Sequence, residues 1–148
     1  MSERSTAPGF HHVAIRAVDF DRTIEFYTKG LGCTVRYEFS VPGRIDRAAF
    51  IDSGDGRYIE VFGQGSTVQA EGRRRRPDEE PTEGALLHFC LRVADVEASY
   101  ARALAAGAVS RVPPRVASLG GNPPAEVQIA FVTGPNGAVI EFLKSANL

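Results

Sequence analysis

The sequence predicts an α+β fold in which a βαβββ unit occurs twice and the two copies form one curved mixed-sheet cup, and three observations predict it. The segment His12-Val-Ala-Ile-Arg16-Ala-Val-Asp19 recurs 76 residues later as His88-Phe-Cys-Leu-Arg92-Val-Ala-Asp95. At the same offset the apolar positions Phe20, Ile24, Tyr27 and Leu31 fall on Val96, Tyr100, Ala103 and Gly107, the i, i+4, i+7, i+11 spacing of one helix face. Three short runs rich in β-branched and aromatic residues follow each helical pattern, and turn residues separate them as they separate strands.

Each unit opens with a strand, because apolar side chains alternate along Val13, Ile15 and Ala17 and along Leu87, Phe89, Leu91 and Val93. The helices begin at Asp19 and Asp95, where a short carboxylate accepts hydrogen bonds from the free amides of the first turn. They stop near Gly30 to Gly32 and at Gly107, since glycine closes a last turn in the left-handed region without a Cβ clash. Strands then follow at Thr34 to Phe39, Ala48 to Ile51 and Arg57 to Phe62, with turns at Val41-Pro42-Gly43 and Ser53-Gly54-Asp55-Gly56. In the second unit they are Val109 to Val116, Val127 to Val132 and Ala138 to Leu143, separated by Ser118 to Pro124 and Gly134-Pro135-Asn136-Gly137. The organisation is a first module over 10–63, a linker over 64–83 and a second module over 84–144, all within one compact domain.

Composition narrows the function. The 148 residues are 43% hydrophobic and 24% charged, which excludes membrane spans, collagen-like repeats and wholesale disorder. Seventeen basic against 18 acidic residues leave no global field for nucleic acid or a membrane surface, so a small-molecule partner is expected. Two cysteines, Cys33 and Cys90, are too few for a disulfide framework and suit a reducing cytoplasm. Met1 to Phe10 reads as a short disordered lead rather than a signal peptide. The linker carries Arg73-Arg74-Arg75-Arg76 followed by Pro77-Asp78-Glu79-Glu80-Pro81; the acidic cluster cancels the arginine field, and the segment reads as a solvated connection.

Alternation puts His12, Ala14 and Arg16 on the strand face turned away from the helix, and His88, Cys90 and Arg92 on the matching face of the second unit. His11 falls to the opposite face. The last strand of each unit holds a carboxylate in an apolar run, Glu60 in Arg-Tyr-Ile-Glu-Val-Phe and Glu141 in Ala-Val-Ile-Glu-Phe-Leu, each four residues after a turn glycine. A carboxylate so placed is costly unless it is paired, hydrogen-bonded or bound to a metal. Two imidazoles and two carboxylates in repeat register form a nitrogen and oxygen ligand set for a divalent transition ion, His12, Glu60, His88 and Glu141, with positions open for substrate. The alternative is that each histidine is a satisfied strand residue and each glutamate a rim charge or a partner of Arg16, Arg92 or Arg57. Cys90 reads as a small buried hydrophobe. Arg16 and Arg92, roughly 13 Å along the strand from the histidines at about 3.3 Å per residue, are positioned to hold a substrate anion or to pair with acids. No Gly-x-Ser-x-Gly elbow and no phosphate loop occurs.

His12-Val-Ala-Ile, Asp19 with Ile24-Glu25-Phe26-Tyr27, the Gly30-Leu31-Gly32 stop, Gly134-Pro-Asn-Gly137 and Ile140-Glu141-Phe142 resemble the vicinal oxygen chelate superfamily of glyoxalases, bleomycin-resistance proteins and dioxygenases. The resemblance runs from Phe10 to Lys144. It implies paired βαβββ modules in a glyoxalase-like cup and metal ligands on the first and last strands of each, here His12, Glu60, His88 and Glu141. A His/Glu/His/Glu set is similar to that of glyoxalase I, lactoylglutathione lyase. Methylmalonyl-CoA epimerases usually carry glutamine at the position of Glu60, and extradiol dioxygenases use three ligands, matching His12, His88 and Glu141, plus a further histidine over the substrate. Metal-free binding or resistance relatives often lack the set. The implied function is a metal-dependent lyase or isomerase that moves a proton beside a metal-bound carbonyl, with Glu141 or Glu60 as catalytic base, nickel, cobalt, zinc, manganese or iron as the ion, a small substrate such as a thiol adduct, and a homodimeric assembly.

Overall fold

The computed structural model describes residues 10–67, 88–119 and 122–146. The lead over 1–9, the arginine run and its acidic neighbours, Leu86, Leu87 and the middle of the Ser118 to Pro124 segment lie outside them. In chain order the elements are β1 (His12–Arg16), α1 (Phe20–Glu25) continuing into a π-helical turn (Phe26–Gly30), β2 (Thr34–Val41), β3 (Ile45–Asp52), β4 (Tyr58–Phe62), β5 (Phe89–Arg92), α2 (Val96–Ala105), β6 (Val109–Leu119), β7 (Ala125–Thr133) and β8 (Val139–Lys144). They form two four-stranded sheets of the same design, ordered β1-β4-β3-β2 and β5-β8-β7-β6. In each, the first and last strands of the module pair in parallel and the remaining pairs are antiparallel. The expected α+β, two-module architecture is the one observed.

Both N-caps form as the sequence predicts. The Asp19 carboxylate accepts from the Arg22 amide at 3.1 Å, and that of Asp95 from the Ala98 amide at 2.9 Å. The first helix then departs from expectation by widening at Phe26 instead of running on as α-helix. Phe26 and Tyr27 are adjacent and both enter the core, at 3% and 0% exposure, with their rings edge-to-face at 5.1 Å. An α-helical step of about 100° sends neighbouring side chains to different sides; the wider turn keeps both large rings inward. Gly32, at φ +80°, turns the chain out of the helix.

The strands run longer than the residue patterns suggest at two edges. β2 continues through Ser40 to Val41, and β6 continues through Ser118 to Leu119, pairing there with Ala125. Pro113 and Pro114 sit inside β6, at a register shift between Val112 and Arg115. That strand lies at the sheet edge, where a residue without an amide proton removes no ladder bond.

One apolar core joins the modules. Phe20, Phe26, Tyr27, Ile51, Ile59 and Val61 from the first half pack in a single cluster with Val96, Ala103, Val132, Ile140 and Phe142 from the second. The seam is closed by Asn136 in the turn before β8, whose Oδ1 accepts from the Val18 amide at 2.8 Å and whose Nδ2 donates to the buried Thr23 hydroxyl oxygen at 3.0 Å. The helical segments also meet so closely that a Cβ at Gly30 would lie 2.7 Å from the Cβ of Ala106. Alanine in a helix normally gains up to about 1 kcal/mol over glycine, but overpacking a close contact costs about 1–3 kcal/mol. Gly30→Ala is therefore expected to lower stability in urea denaturation, and an unchanged or raised midpoint would contradict the close approach.

Candidate active site

Alternation along β1 turns Val13, Ile15 and Ala17 into the core and leaves His12, Ala14 and Arg16 on the other face. The parallel partner β4 sets Glu60 opposite Ala14 and Tyr58 opposite His12. The result is a close pair, His12 Nε2 to Glu60 Oε2 at 3.1 Å, with the glutamate side chain 11% exposed and the imidazole 36%. The second module repeats the construction. Phe89, Leu91 and Val93 pack on the core, Cys90 lies opposite Glu141, and His88 Nε2 approaches Glu141 Oε2 at 3.0 Å with exposures of 38% and 12%.

A phenylalanine walls each pair. Phe50 stands in register with Glu60 and Phe131 with Glu141, their ring centroids 5.5 Å from the His12 ring and 5.3 Å from the His88 ring. An imidazole partner offsets the cost of withdrawing a carboxylate from water, and the outward imidazole edge leaves the pair accessible. Each face thus offers one imidazole nitrogen and one carboxylate, donors that fit a divalent transition ion. The structure brings His12 to Glu60 and His88 to Glu141, but it does not bring the pairs together: among the described residues no group of three or more His, Cys, Asp and Glu side chains could hold a metal. Each face of one chain carries one His/Glu pair.

The neighbours of the two pairs differ from expectation. His11 does not fall to the opposite face; β1 begins only at His12, so strand alternation does not govern it. Its Nδ1 lies 2.9 Å from that of His12, and its ring contacts Phe50 and Tyr58. The adjacent histidines at the start of the strand were the available signal. Cys90, expected to be buried, is exposed on the His88 face. Although the residue is exposed, its sulfur is partly withdrawn from water; this first, then the charge and hydrogen bonding of Glu141, push its thiol up to about 12, which makes it a weak nucleophile. Its equivalent in the first module is Ala14.

The two arginines also part company. Arg16 Nη1 donates to the Ser66 carbonyl at 2.9 Å, fastening the chain beyond β4. That stretch is held further by Asp46, which accepts from the Ser66 hydroxyl, from the Gly65 amide at 3.0 Å and from the Arg47 amide at 2.8 Å. These hydrogen bonds, the Ser66 hydroxyl foremost, hold the Asp46 carboxyl below its ordinary range. Arg92 makes no such bond among the described residues.

A family model described as the Glyoxalase/Bleomycin resistance protein/Dioxygenase superfamily matches residues 9–142. Among solved structures, the glyoxalase family protein from Enterococcus faecalis is 26% identical with a TM-score of 0.66, covering 92% of this chain and 97% of that one. A glyoxalase I mutant from Zea mays is 22% identical with a TM-score of 0.68; 93% of this chain aligns with 45% of that one, so the chain spans under half its length. The trypanothione-dependent glyoxalase I of Leishmania major is 24% identical with a TM-score of 0.61, over 93% of this chain and 87% of that one. At such identities the last two likenesses concern the fold. No curated protein matches the chain.

Proposed function

Because the chain belongs to the Glyoxalase/Bleomycin resistance protein/Dioxygenase superfamily, we propose that it is a metal-dependent, lactoylglutathione lyase-like lyase or isomerase whose site is completed between two copies of the chain. The observation that carries this reading is the pair of equivalent half-sites, His12 with Glu60 and His88 with Glu141, at 3.1 and 3.0 Å. Two donors from one face and two from the complementary face of a second copy make the four-ligand set that one chain does not assemble. Both cysteines are free and no helix among the described residues is long and apolar enough to cross a membrane; we assign the protein to the cytoplasm on its cysteine usage.

His12, Glu60, His88 and Glu141 would hold a divalent ion, whose identity imidazole and carboxylate donors leave open among nickel, cobalt, zinc, manganese and iron. When bound, such an ion supplies positive charge against the negative charge that develops on a substrate carbonyl oxygen. The protein's own part is proton transfer: the Glu141 carboxylate takes a proton from the carbon beside the carbonyl and returns it to the adjacent carbon. Phe50 and Phe131 exclude water from that exchange, and Arg92 orients an anionic substituent such as that of a thiol adduct.

Elemental analysis of the purified protein tests the reading first. Stoichiometric metal is expected, with turnover of a methylglyoxal–glutathione adduct lost on chelation and restored by one of the five ions. A protein without metal whose ligand binding ignores chelation would instead be a metal-free binding or resistance protein. Turnover of methylmalonyl-CoA alone would move the assignment to an epimerase, and oxygen uptake with a catechol to a dioxygenase.

A further inference from the structure

Of the three histidines in the chain, His12 and His88 each face a glutamate, and His11 instead faces His12. Two sets of contacts hold it there. The Tyr58 amide donates to the His11 carbonyl at 2.9 Å, and the His11 ring centroid lies 5.1 Å from that of Tyr58 and 5.9 Å from that of Phe50. Its Nδ1 thereby comes within 2.9 Å of the His12 Nδ1, the two rings edge to face. The His12 ring is engaged at both nitrogens, Nδ1 by His11 and Nε2 by Glu60 at 3.1 Å. The repeat puts Leu87 at the equivalent position of the second module, a side chain that neither donates nor accepts a hydrogen bond.

Hydrogen-bond chemistry gives this row of groups a direction. An ionised carboxylate only accepts, so the His12 Nε2 that faces Glu60 carries its proton. A neutral imidazole then has a bare Nδ1, and the 2.9 Å contact requires His11 to donate from its own Nδ1. The order reverses when His12 gives its Nε2 lone pair to a metal ion, because the ring then keeps its proton on Nδ1 and needs an acceptor there. His11 supplies it. Its Nδ1 proton passes along the short contact to His12, His12 releases its Nε2 proton to water, and the exposed His11 takes up a proton on Nε2. Each ring keeps one proton throughout.

We propose that His11 is a positioning residue for His12, donating to its Nδ1 in the ion-free half-site and accepting from it when Nε2 binds a metal, so that the ring keeps one orientation in both states. The metal-bound state rests on the function proposed above; the ion-free state does not. The duplicated pairs are thereby unequal, since an imidazole orients His12 from behind while the second module has a leucine at the matching place in the sequence.

Long-range proton–nitrogen NMR of the nitrogen-15-labelled protein tests it at about pH 8, above the ordinary histidine range. Without metal, His12 is expected as the Nε2–H tautomer and His11 as the Nδ1–H tautomer; zinc, which is diamagnetic, is expected to convert His12 to Nδ1–H and His11 to Nε2–H. His11→Leu, which installs the residue type of the second module, is expected to weaken zinc binding in isothermal titration by about 10–100-fold. His11→Asn, whose amide both donates and accepts, is expected to stay within about threefold of wild type. A metal-free wild-type spectrum with His11 as Nε2–H, which needs no variant to fold, would overturn the proposal. So would zinc affinity that His11→Leu leaves unchanged, or that His11→Asn and His11→Leu lower equally. Failure of the metal reading has a different signature: the nitrogen shifts of His12 and His88 ignore zinc, which removes the metal-bound state, and the metal-free tautomers still decide whether His11 holds the ring.

Discussion

Co-expressed His12→Ala and His88→Ala chains are expected to recover activity that neither variant has alone. Each substitution removes an imidazole donor from every site of its own homodimer, and loss of a ligand exceeds the roughly 10–100-fold cost of disturbing a residue behind one. In a mixed dimer the two lesions fall in the same site. The other site then joins an intact His12–Glu60 pair from the His88→Ala chain to an intact His88–Glu141 pair from its partner. Random pairing makes half the dimers mixed, each with one sound site of two, so turnover should return to about a quarter of wild type. Thioester formation from a methylglyoxal–glutathione adduct measures it. If both pairs served one site within a single chain, no mixture could exceed its components.

Glu141→Gln should abolish most turnover while leaving the fold intact. The amide keeps the shape and one acceptor oxygen of the carboxylate, whose side chain is only 12% exposed, and β8 keeps its pairing with β5 and β7. It loses the ability to take a proton, an effect of about 10²–10⁴-fold for a general base. Glu60→Gln separates the roles: a variant that weakens metal retention yet keeps most of the rate per bound ion identifies Glu60 as a ligand only. Equal activity of Glu141→Gln and wild type would remove Glu141 from the chemistry.

The residues told this much of the structure because their patterns were local. Strand alternation placed Val13 and Ile15 inward and His12 and Arg16 outward, and the repeat transferred that assignment to Phe89, Leu91 and Arg92. The caps at Asp19 and Asp95 were legible because a carboxylate three residues ahead of a free amide has one local use. What the residues did not tell depended on packing between elements. Phe26 and Tyr27 compete for one core, and helical spacing alone cannot widen a turn to admit both. The run of β6 beyond Val116 to Leu119 was hidden for the same reason, because it depends on Glu126 and Ala125 pairing across the sheet.

The site shows the same division. Equivalence of the His/Glu pairs follows from the repeat, and each pair is indeed formed within its module. Proximity of the pairs is a different property. A repeat relates positions by symmetry and says nothing about whether the symmetric faces look at each other; that depends on how the modules seat at Gly30, Ala106 and Asn136.

Separation of the half-sites has a further consequence under the shared-site reading. A solitary polypeptide then carries every group the chemistry needs and performs none of it, so specific activity becomes a function of how much protein is present. When chains are scarce, catalytic output rises with the square of their number, and it becomes proportional only once association saturates. Expression level would set not just the quantity of this catalyst but whether it exists.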